Sequence, residues 1–176
     1  MKKAFTMLEL VFVIVIVGIL AAIMIPRFDT NPVHEAKIQL MNHIRYAQHL
    51  AIVDDKFNDN TTWYKNVWQI AFDGNAYSIV ADNNTSFEQN PLNGNNMWSI
   101  NLSDDYGTTI TFDATSGCAA QTDISFDFLG RPIIGDIDTL TSTSNINYLT
   151  ADCRIILANG SETTTITISP ETGYTR

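Results

Sequence analysis

The sequence predicts an α+β fold: one long N-terminal helix, membrane-spanning in its first half and amphipathic in its second, packed on an antiparallel β-rich globular domain. Three observations carry this. From Phe5 to Ile25 every residue is apolar or small except Thr6 and Glu9. From Asn31 to Ala51 apolar residues recur at helical spacing. From Asn66 onward the chain runs through short stretches of β-branched and aromatic residues separated by Gly, Asn and Asp.

The N-terminal stretch comes first. A helix over Phe5–Ile25 would be about 31 Å long, close to a bilayer core of about 30 Å. Lys2 and Lys3 precede it and only Arg27 follows closely. The positive-inside bias therefore predicts a single pass, with the N-terminus in the cytoplasm and the remaining chain on the far side. The apolar run is too long for a conventional cleaved signal and has no small-x-small site after it. Glu9 is the exception that needs a reason, because a carboxylate in mid-bilayer costs about 2.5–3.5 kcal/mol. One reading is an interfacial carboxylate near the positive end of the helix dipole. The other is an ion pair with an amine created by cutting the chain before Phe5. The residues alone leave both open.

After the span, Asn31 is a good N-cap and Pro32 suits the first helical position. Val33, Ala36, Leu40, Ile44, Ala47 and Ala51 mark one apolar face, and Lys37, Asn42, Arg45 and His49 lie opposite. Pro26 is expected to kink the join between the two helical halves. Strand pairs are expected around Asp73-Gly74-Asn75, between "MWSINLS" and "TTITFDA", and around Asn159-Gly160. In "DISFDFLGRPI" Ile124, Phe126 and Phe128 should point inward, and Ser125 and Asp127 outward. Two polar segments, 82–96 and 136–147, have little regular signal, and loops of that length tend to be functional or mobile.

Composition limits the function. The net charge of −9 on 176 residues argues against bulk nucleic-acid binding. No phosphate loop, GxSxG or HExxH is present, and His34, His43 and His49 lack metal-ligand spacing. No catalytic constellation, cofactor motif or diagnostic metal site emerges, which points to a structural subunit rather than an enzyme. Cys118 and Cys153 are either two buried thiols or, in an exported chain, a disulfide worth about 3–4 kcal/mol.

Residues 2–26 resemble the leader and N-terminal helix of type IV pilins and type II secretion pseudopilins. The shared pattern is a basic leader (Lys2-Lys3), a small residue (Ala4), then Phe5-Thr6-Met7-Leu8-Glu9, a long apolar helix and Pro26 near its end. The family usually has glycine where Ala4 stands. The resemblance implies cleavage between Ala4 and Phe5 by prepilin peptidase, N-methylation of Phe5, and filament assembly through Phe5 and Glu9. It divides the chain into a leader (1–4), a filament-core helix (5–25), an amphipathic helix (26–55) and a periplasmic β-domain (56–176). It implies residence in the inner membrane before assembly, with other pilin subunits and an assembly platform protein as partners. The phenylalanine-rich strand ending in Gly130-Arg131 and the closing "ITISPETGYTR" further resemble the GspH/FimT-like minor pseudopilins. Some members of that group contact DNA through a basic tail, for which Tyr174 and Arg176 are the matching residues here. A tip-located DNA receptor or adhesin, or a major pilin, are the alternatives to a minor structural subunit.

Overall fold

Asn31 and Pro32 begin a helix of their own, so the helical part of the sequence falls into two pieces. The computed structural model describes residues 6–24, 31–56, 61–81, 85–91, 93–119, 123–160 and 162–176, with backbone alone at 22–24. The chain divides into two units, residues 1–30 and 31–176.

The first unit contains α1 (Met7–Met24), 18 residues with Glu9 as the acidic residue of its first turn. All side chains described from Thr6 to Ala21 are exposed. Thr6 caps the helix: its hydroxyl accepts the Glu9 N–H at 3.3 Å and its carbonyl accepts that of Leu10 at 3.2 Å. The first of these satisfies one of the donors that every helix start leaves without an intrahelical partner, and the second is the first regular bond of the helix.

The expectation of one long helix with a membrane-spanning first half is not met. The helices are separate, and among the described residues none is long and apolar enough to cross a membrane. The described stretch of α1, 18 residues, rises about 27 Å, short of a hydrocarbon core of about 30 Å. The single-pass inner-membrane placement with a periplasmic C-terminal domain rested on that span and is corrected with it. Pro26, the expected kink, lies outside the described residues.

The second unit opens with α2 (Pro32–Val53). Asn31 caps it, its side chain accepting the His34 N–H at 2.9 Å. The residues α2 buries are Val33, Ala36, Leu40, Ile44, Ala47 and Ala51, one stripe at intervals of three and four. A six-stranded antiparallel sheet contains β1 (Gln69–Asp73), β2 (Ala76–Ala81), β3 (Ser86–Phe87), β4 (Ile100–Asn101), β6 (Asp123–Phe126) and β7 (Pro132–Ile134). Its order is β3-β2-β1-β6-β7, with β4 also paired to β2. A second sheet has the order β5-β8-β9, from β5 (Thr109–Phe112), β8 (Cys153–Asn159) and β9 (Glu162–Ile168). The α2 stripe shares one core with Ile70, Ile79, Ile124 and Phe126 of the first sheet and Ile155, Leu157, Ile166 and Ile168 of the second. A smaller core of Val67, Ile133 and Ile137 sits beneath the 136–147 segment.

The hairpins at Gly74 and Gly160 form as expected, joining β1 to β2 and β8 to β9. "MWSINLS" and "TTITFDA" do not pair with each other. β4 joins β2 and β5 joins β8, with a short helix, α3 (Leu102–Tyr106), between them. The alternation in "DISFDFLGRPI" holds for Ile124 and Phe126, which are buried in the core, and fails at three other positions. Ser125 and Asp127 are buried, whereas Phe128 is 43% exposed. Strand β6 is flanked by β1 and β7, and the hydroxyl of Ser125 donates to Gln69 at 3.2 Å. Asp127 accepts the backbone N–H groups of Leu129 and Arg131 and the Arg131 Nε–H, closing the turn at 127–131. Burying a carboxylate is tolerable only when such donors surround it.

Candidate functional site

The predicted assembly residues come first. Glu9 lies in the opening turn of α1, with its side chain exposed on a helix whose other described side chains, apart from the capping Thr6, are apolar or small. Its position three residues after the cap gives Thr6-Met7-Leu8-Glu9 the spacing of a capping box, a signal the sequence reading passed over. A carboxylate there also faces the positive end of the helix dipole. The helix therefore offers an apolar cylinder with one anionic group at one end. Ala4 and Phe5, assigned to cleavage and methylation, lie outside the described residues, as does Pro26.

Cys118 and Cys153 are bonded, with Cα atoms 5.0 Å apart. The disulfide joins the segment after β5 to the first residue of β8. Beside it, a side chain on Gly117 would collide with the backbone carbonyl of Ala151, so this crossing admits only glycine.

The C-terminal tail is folded back onto the second unit. Its backbone pairs with the end of β9: Thr167 and Arg176 exchange N–H···O bonds at 2.9 and 3.0 Å. Two side chains of α2 hold it there. Gln48 Nε2 donates to the carbonyls of Gly130 and Thr172 at 2.9 and 2.8 Å, and Arg45 donates to Thr175 O at 2.6 Å. The tail residues matched to DNA contact stand differently from one another. Tyr174 is 58% exposed. Arg176 donates to Ser169 at 3.0 Å and pairs with Asp152 at 3.1 Å, so its charge is already met.

The described part of the asparagine-rich segment, from residue 85 on, folds as an arm rather than a loose loop. Glu88 and Met97 continue the pairing with β2, and Asn90 closes a tight turn by accepting the Gly94 N–H at 2.8 Å. Tyr46 of α2 fixes the arm by donating its hydroxyl to Glu88 at 3.0 Å. A cleft of about 700 Å³ lies between α2, the arm and Tyr106. Tyr106 donates to Gln39 Oε1 at 2.6 Å across one wall. His43 borders the cleft, its Nδ1 2.7 Å from the Tyr77 hydroxyl, and burial lowers its pKa to about 4. Sequence reading found none of this cleft, because its walls come from residues far apart in the chain.

Among the described residues no three His, Cys, Asp or Glu side chains gather as a metal site. Asp104 accepts from Asn101, and Asp136 accepts the Asp138 N–H at the start of a short turn. Comparison with family models, curated proteins and solved structures found no match.

Proposed function

We propose that the chain is a structural filament subunit of the type IV pilin or type II pseudopilin kind, assembled through α1. The observation that carries this reading is the surface of α1: apart from Thr6 and Glu9 it exposes only apolar or small side chains over its described length. An amphipathic helix can lie on a sheet, but one that is apolar all round needs apolar surface on every side. A bundle of the same helix from neighbouring copies provides that. Such a bundle would enclose Glu9, and desolvating a lone carboxylate is costly unless a cation meets it. The leader resemblance supplies the cation. Cleavage after Ala4 by prepilin peptidase leaves an amine on Phe5 that can pair with Glu9 of the next copy and fix the register.

The experiment compares sheared filaments from cells carrying the wild-type chain or Glu9→Ala. We expect wild-type chain in the filaments, beginning at N-methylated Phe5 by mass spectrometry. We expect Glu9→Ala to be processed but reduced at least tenfold in the filament fraction. Equal incorporation of the two chains would sink the register role. Absence of the wild-type chain from filaments would sink the subunit itself. DNA contact through Tyr174 and Arg176 draws no support from the tail, where Arg176 is paired with Asp152 and the chain carries −9 overall.

A further inference from the structure

The cleft between α2 and the asparagine-rich arm has a chemistry that assembly through α1 does not use. We propose that it binds a neutral oligosaccharide. Its polar wall is formed by the carboxamides of Gln39, Asn42, Asn90 and Asn93 and the phenols of Tyr46 and Tyr106. A carboxamide presents a donor and an acceptor in one plane, and the two phenol oxygens, whose protons go to Glu88 and Gln39, can still accept, which suits the paired hydroxyls of a sugar ring. Ile38, 41% exposed, and Pro91 provide the apolar surface on which ring C–H groups can rest.

Charge narrows the ligand class. Among the described residues no Lys or Arg lines the cleft, so nothing there would neutralise a phosphate, sulfate or uronate. His43 does not supply that charge near neutral pH, since burial keeps its imidazole neutral down to about pH 4. Glu35 contributes a carboxylate that repels anions and can accept from hydroxyls. The volume, about 700 Å³, falls within the range of roughly 300–1,000 Å³ usual for ligand clefts. Tyr46 holding Glu88 and Tyr106 holding Gln39 keep both walls in place without a ligand. Such preorganisation reduces the ordering cost of binding. The cleft lies wholly within residues 31–176 and does not depend on the filament reading.

The test uses residues 31–176, which carry their own core and disulfide, against an array of neutral gluco-, galacto-, manno- and N-acetylhexosamine oligosaccharides. Heparin-derived and sialylated oligosaccharides are printed beside them, and hits are measured by titration calorimetry. The expected result is binding of a neutral series with at least a tenfold loss in both Asn42→Ala and Asn42→Trp. Asn42 is exposed on α2, so neither change touches the core, and unchanged thermal unfolding confirms it. No neutral ligand on the array, equal binding by both variants, or equal preference for the anionic oligosaccharides would each overturn the proposal.

Discussion

His43 shows how one buried ring links the fold to pH. Its imidazole packs against Tyr77 with ring centroids 5.7 Å apart, and burial lowers its pKa from 6.5 to about 4. In the unfolded chain the same ring titrates near 6.5. Between those values the unfolded state binds more protons, so stability falls as pH drops from about 6.5 to about 4 and is unaffected above that window. The loss attributable to His43 should be about 2–3 kcal/mol. Asp113 works in a different window. The Thr115 N–H and hydroxyl and the Arg154 guanidinium hold its carboxyl down to about 2, so its contribution disappears only below about 3.8. Thermal unfolding of residues 31–176 across pH 4–8 should show a smaller acid loss in His43→Gln than in wild type. Parallel curves for the two proteins would refute the assignment.

At the scale of elements, α2 acts as a clamp as well as a core helix. Its buried stripe meets both sheets, while Arg45 and Gln48 hold the C-terminal tail. The tail can approach only because residue 173 is glycine. Gly173 has φ +63°, and a Cβ there would lie 2.5 Å from Gln48 Nε2 and 2.6 Å from Gly130 O. Both the backbone conformation and the space exclude a side chain. Gly173→Ala should therefore lower the stability of residues 31–176 by about 1–3 kcal/mol. Faster hydrogen exchange at the Thr167 and Arg176 amides would locate the damage. An unchanged melting temperature would mean the tail is not held as described. The closing Thr172-Gly173 pair, noted in the sequence for its family resemblance, thus has a steric reason in this chain.

For the whole molecule, the Cys118–Cys153 bond restrains the chain between β5 and β8 of the second sheet. Closing a 35-residue step removes about 3–4 kcal/mol of chain entropy from the unfolded state. Reduction, or a double Cys→Ser variant, should lower unfolding stability by about that amount in a denaturant titration. A change below about 1 kcal/mol would show that the loop is already restrained without the bond. Much of this layout was legible beforehand. The α2 stripe and the hairpins at Gly74 and Gly160 follow from spacing and turn residues, which act over a few positions. The partners of β4 and β5, the burial of Ser125 and Asp127, and the cleft behind the arm did not follow. Each depends on which distant segment arrives as neighbour.

The sequence by itself determined an apolar N-terminal helix marked by Glu9, one amphipathic helix capped at Asn31, and a β-rich remainder. Local spacing and capping chemistry suffice for those. Only the tertiary structure decided that the helical region is two helices, described over Met7–Met24 and Pro32–Val53. It also decided that the tail locks onto α2, and that the asparagine-rich segment forms one wall of a cleft. Burial, close approach and hydrogen-bond satisfaction are properties of neighbours in space, and 31–176 acquires them only when both sheets close on α2.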